Sequence, residues 1–107
     1  MDDERYQLHD RLAKAMFNAN AAYRDFKGMH HIAFSTFYQF MKKPELARDK
    51  TVASVRLACE FLEAACLRRL LPLPREKVKD KQEIIAKLYE QWWINNKHFP
   101  LSTQIEV

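Results

Sequence analysis

The sequence predicts an all-α fold, a single small helical domain, and three observations carry that prediction. The 107 residues include one glycine and four prolines, too few turn-formers for the many tight turns of a sandwich or barrel. Apolar residues recur at three- and four-residue steps through most of the chain, the spacing that lines one side of a helix. Hydrophobic residues make up 48% and charged residues 30%, which gives one domain of this length enough core material to fold without staples. No apolar run reaches the roughly 18 residues of a membrane span. The acidic start Met1-Asp2-Asp3-Glu4 has the wrong sign for a secretory leader, so a cytoplasmic location is expected.

The first helix is expected from about Asp3 to Asn18, with extension to Phe26 left open. Leu8, Leu12, Ala15, Met16 and Ala19 give it an apolar face, and Asp10 and Lys14 are spaced for an i,i+4 pair. Its early acids suit the positive end of the helix dipole. Residues 18–31 fit one helix or two, and Gly28 reads as a break or a C-cap. The next element runs over residues 35–43, or from Phe34, and is stopped by Pro44, with Ser35 as N-cap. Phe37, Phe40 and Met41 share its buried side. Ser35, Thr36, Gln39 and Lys43 share the opposite side, flanked by Tyr38 and Lys42.

The longest helix is expected from about Lys50 to Leu71, with Asp49 as N-cap and Arg68 and Arg69 in its last turn. Val52, Val55, Cys59, Leu62 and Cys66 form one stripe. Leu57, Phe61, Ala64, Leu67 and Leu71 form a second, so this helix should be central to the domain. The last helix is expected from Pro74 to about Asn96. Its stripe is Val78, Ile85, Leu88 and Trp92, with Ile84, Tyr89 and Trp93 beside it and Glu83–Lys87 as an i,i+4 pair. Residues 1–73 thus read as the core, 74–96 as a C-terminal helix available for dimerisation, and 97–107 as a tail.

Function classes narrow quickly. One glycine leaves no room for a phosphate-cradling loop, and no nucleophile elbow or His-Glu-x-x-His is present. Glu60 and Glu63 lack the histidine that a di-iron site needs three residues on. His30 and His31 are adjacent and would diverge by about 100° on a helix, so they read as solvated or turn residues; His9 and His98 are isolated. Cys59 and Cys66 lie two helical turns apart, about 10 Å, too far for a disulfide, and read as reduced core thiols. No enzyme, metal or cofactor is expected. The net charge is +4, and residues 42–81 concentrate eleven basic side chains against six acidic ones, which permits an anionic partner.

The best functional signal lies between residues 32 and 65. Ser35-Thr36-Phe37, then Phe40-Met41-Lys42-Lys43, a loop, and Lys50-Thr51-Val52 with Val55, Ala58 and Leu62 resemble the second half of a phage repressor or Cro-type helix-turn-helix domain. The likeness covers under a third of the chain. It departs from that family in the placement of Gly28 and in having Lys43-Pro44 where a glycine is usual. The resemblance implies a small transcriptional repressor binding duplex DNA as a homodimer. Gln39 would pair with adenine, and Ser35 or Thr36 would reach a base edge or a phosphate. Tyr38 would touch a thymine methyl or the backbone, and Lys42, Lys43 and Arg48 would neutralise phosphates.

Tyr89, Trp92 and Trp93 form a second signal. Adjacent tryptophans point about 100° apart, so one ring either meets a partner or both cap the monomer core. The competing function is a small helical inhibitor or adaptor that binds a protein through its aromatic surface, with the basic residues merely solvated.

Overall fold

Helix α1 runs from Asp3 to Ala19 and stops where Asn20 takes a left-handed backbone, φ 52°. The Ala21 N–H donates to the Met16 carbonyl at 2.9 Å and the Asn20 N–H to the Phe17 carbonyl at 3.1 Å. This is a Schellman motif with asparagine in the position glycine usually fills. The computed structural model of the chain describes residues 3–26 and 32–96. Among these residues every regular element is helical, as the composition predicts. Gly28, His30, His31, His98 and residues 97–107 lie outside them.

The chain therefore breaks after α1 and starts again as α2, the single turn Tyr23–Phe26. Asp25 builds its start: the Ala22 N–H donates to Asp25 Oδ2 at 2.8 Å. That carboxylate is 7% exposed and faces Lys81 Nζ at 3.3 Å, which ties α2 to the last helix.

Helix α3 spans Phe34–Lys42 after an extended Ala33. Ser35 is not its N-cap. The helix begins one residue earlier, placing Ser35 inside the first turn, and no side chain caps the end. Pro44 acts as predicted, with Lys43 outside the α region at φ −140°, ψ 78°. A 3-10 turn, Pro44–Leu46, then leads to α4, Asp49–Leu67. Asp49 is likewise not the N-cap; Arg48 occupies that position in extended backbone. The Asp49 carboxylate accepts a hydrogen bond from Arg5 at 2.8 Å instead.

The core forms where α1 lies along α4. Leu8, Leu12, Ala15 and Ala19 meet Val52, Val55, Cys59 and Leu62, with Phe37 and Phe40 of α3 joining them. Along the rim, Arg56 pairs with Glu4 at 2.6 Å, and Arg11 holds Glu63 through two bonds of 2.7 and 2.8 Å. Exposed pairs of this kind contribute at most about 1 kcal/mol each, so apolar burial holds the helices together. The two cysteines are free, and burial pushes the Cys59 thiol up to about 12.

Helix α4 ends four residues before the predicted Leu71. The Leu70 N–H donates to the Ala65 carbonyl at 2.8 Å, the Arg69 N–H to that of Cys66 at 3.0 Å, and Arg69 takes φ 63°. This second Schellman turn brings Leu71 into the core from outside the helix and leaves Leu67 84% exposed. Residues Arg75–Asp80 form a 3-10 segment with no buried side chain. With nothing to bury, they have no packing that enforces α spacing, and Val78 faces solvent instead of the core. Helix α5, Lys81–Asn96, seats Ile85 fully in the core, with Leu88, Tyr89 and Trp92 packed against it. No helix among the described residues is long and apolar enough to cross a membrane.

Candidate nucleic-acid interface

Helix α3 carries three stripes. Phe37 and Phe40 point inward, fixed by the i, i+3 spacing. Ser35, Thr36, Gln39 and Lys43 form a second stripe, and all four are exposed. Phe34, Tyr38 and Lys42, four residues apart along the helix, form a third.

The turn at Pro44–Leu46 folds the start of α4 back toward the second stripe. The result is a groove of about 350 Å³, with Ser35, Thr36, Gln39 and Lys43 on one side and Leu46, Arg48 and Thr51 on the other. Five of the seven side chains expected to contact DNA thus meet in one concavity. Tyr38 and Lys42 do not line it; they stand on the neighbouring stripe, where Lys42 Nζ lies 5.5 Å over the Tyr38 ring. Thr51 and Leu46 are lining residues that the helix pattern did not single out. Thr51 had a signal, since it lies one turn past Arg48 at a helix start.

Helix α1 braces the turn from behind. Arg5 Nε donates to the Ala47 carbonyl at 3.0 Å, and the Tyr6 hydroxyl donates to Glu45 Oε1 at 2.7 Å. That hydrogen bond holds the Glu45 carboxyl below its ordinary value. The two acids in the segment that carries the groove's second side, Glu45 and Asp49, are both bonded by α1. No carboxylate among the described residues pairs with Lys42, Lys43 or Arg48. Lys43 is within electrostatic reach of Glu45, whose carboxyl it helps to lower, and Lys42 lies over the Tyr38 ring.

The third stripe is ordered by aromatic contacts. Phe34 and Tyr38 stack at 6.1 Å with planes 29° apart, and Tyr23 meets Phe34 edge-on at 5.4 Å. Tyr23 is itself fixed by its hydroxyl donating to the Ile32 carbonyl at 2.6 Å. Between α4 and α5, Phe61 takes Tyr89 edge-on at 5.3 Å and Trp92 at 5.8 Å. Tyr89 and Trp92 are half-buried there, and burial pushes the Tyr89 phenol up to about 12. Trp93 is 37% and Ile94 59% exposed.

Residues 27–31, on which the turn of a helix-turn-helix would fall, lie outside the described residues. A single helix through Phe26 to Ser35 is absent, because Ala33 is extended. No family model, curated protein or solved structure matches the chain.

Proposed function

We propose that the chain is a small DNA-binding regulator, a cytoplasmic repressor of the phage or plasmid kind, that meets duplex DNA with the exposed side of α3. One observation carries the reading: Ser35, Thr36, Gln39, Lys43 and Arg48 converge on one groove whose nearby acids are already bonded to α1. Lys42, Lys43 and Arg48 supply phosphate contacts, and Gln39 supplies a two-pronged donor–acceptor group suited to adenine. A homodimer would space two such faces for half-sites one DNA turn apart, with exposed Trp93 and Ile94 as its contact.

A second reading has its own observation. Leu67 at the end of α4, Leu70 in the turn after it, and Trp93 and Ile94 on the last turns of α5 leave exposed apolar surface, which suits a protein-binding inhibitor or adaptor.

Mobility shift of a random-sequence duplex pool at low salt decides between them. Retarded DNA supports the first reading; its absence at every protein concentration hands the case to the second. With a selected site, Gln39→Ala should relax preference at one base position by about 1–3 kcal/mol, while Lys43→Ala should weaken all sequences alike. Light scattering at working concentration should give twice the 12.8 kDa chain mass; the single value removes the dimer.

A further inference from the structure

A recognition helix that reads an intact duplex protrudes into the major groove. Here the hydrogen-bonding stripe of α3 faces into a concavity, with Leu46, Arg48 and Thr51 opposite. A recess of this kind takes the edge of a base turned out of the stack more fully than the edge of a base held in it. At about 350 Å³ the recess falls in the range of small-ligand sites, roughly 300–1,000 Å³, and its hydroxyl, amide and cationic side chains match a base edge and a phosphate.

The neighbouring stripe adds what an unpaired base offers beyond its edge. Phe34 is 60% and Tyr38 49% exposed, and the core does not need them, since Phe37 and Phe40 fill that role. Their stacking on each other and the edge-on support of Tyr23 hold the rings in place before any ligand arrives. Lys42 beside them makes the platform cationic. Exposed aromatic rings beside a cationic side chain are what single-stranded nucleic acid binds, because every base presents a π-face and every nucleotide a negative charge.

We infer that the α3 face prefers DNA with unpaired nucleotides, taking one base edge and phosphate in the groove and stacking a neighbouring base on Phe34 and Tyr38. This rests on the DNA-binding reading and names the form of DNA it favours.

The test compares three labelled DNAs by fluorescence anisotropy at low salt: a single strand of about 20 nucleotides, its perfect duplex, and that duplex with a short central bulge. The single strand and the bulged duplex should bind about tenfold tighter than the perfect duplex. The double variant Phe34→Leu/Tyr38→Leu keeps apolar volume at both positions but removes the rings. It should bring the three affinities to within about twofold while the variant still melts in one cooperative transition, and Tyr38→Phe alone keeps the preference. Equal affinity of the wild-type chain for the three DNAs, or a preference that survives loss of both rings, overturns this inference and leaves DNA binding standing. Failure to bind any of the three overturns both.

Discussion

The salt dependence of DNA binding can be worked out from the groove before any measurement. Lys43 and Arg48 are exposed cations that line it, and exposed Lys42 stands on the neighbouring stripe. If each neutralises one phosphate, the logarithm of the binding constant should fall against the logarithm of salt with a slope of about −2.7 for duplex DNA, at about 0.9 per phosphate. Raising salt from about 50 to about 200 mM then weakens binding about 40-fold. Lys43→Ala should reduce the slope to about −1.8 and the same salt effect to about 12-fold. The double variant Lys43→Ala/Arg48→Ala should leave about −0.9 and 3.5-fold. On single-stranded DNA all slopes should be shallower, about 0.7 per phosphate. Anisotropy titrations at four or more salt concentrations give these slopes directly. Binding whose slope does not change in either variant would refute the placement of these cations on phosphates, whatever the affinity.

Three predictions concern the fold. Asp25→Ala takes away the acceptor of the Ala22 N–H and the counter-charge of Lys81, whose side chain is 16% exposed. It should cost about 2–4 kcal/mol by urea unfolding, short of the full penalty for breaking a fully buried pair; a loss under about 1 kcal/mol would mean the pair does not anchor α5. Arg69→Gly removes a side chain from a left-handed position and should raise stability by about 0.5–1 kcal/mol in a thermal melt, whereas a lower melting temperature would contradict the Schellman geometry. The Cys59 thiol rises from 9.0 to about 12 on folding. The unfolded thiol therefore ionises first, so its contribution to stability should hold below pH 9 and be lost between pH 9 and 12, by at most about 1.4 kcal/mol per pH unit, with the buried Tyr89 phenol adding to the decline from pH 10. Cys59→Ala should flatten that decline, and an unchanged pH profile would show the thiol to be more accessible than its burial implies.

Legibility followed the range of the interaction. The inward side of α3 could be read because Phe37 and Phe40 sit one turn apart. Its polar side followed by exclusion, and Pro44 marked the stop through local sterics alone. The two expected caps fail for different reasons: α3 starts one residue before Ser35, at Phe34, and the Asp49 carboxylate is used by Arg5 across the molecule. The separation of Phe34, Tyr38 and Lys42 from the groove-lining stripe was present in the i,i+4 spacing. Its meaning was hidden until the turn at Pro44–Leu46 showed which stripe the start of α4 would face.

The sequence by itself determined the helical class, the inward stripes of α1, α3 and α4, and the basic middle of the chain. Periodicity, turn-former content and charge are properties of neighbours along the backbone. Only the tertiary structure decided that α4 stops at Leu67, that Asp25 meets Lys81, that α1 takes up Glu45 and Asp49, and that five polar residues share a concave groove with Thr51. Each of those depends on contacts between residues far apart in the chain, or on which surfaces found something to bury against. Spacing along one element carries no information about either.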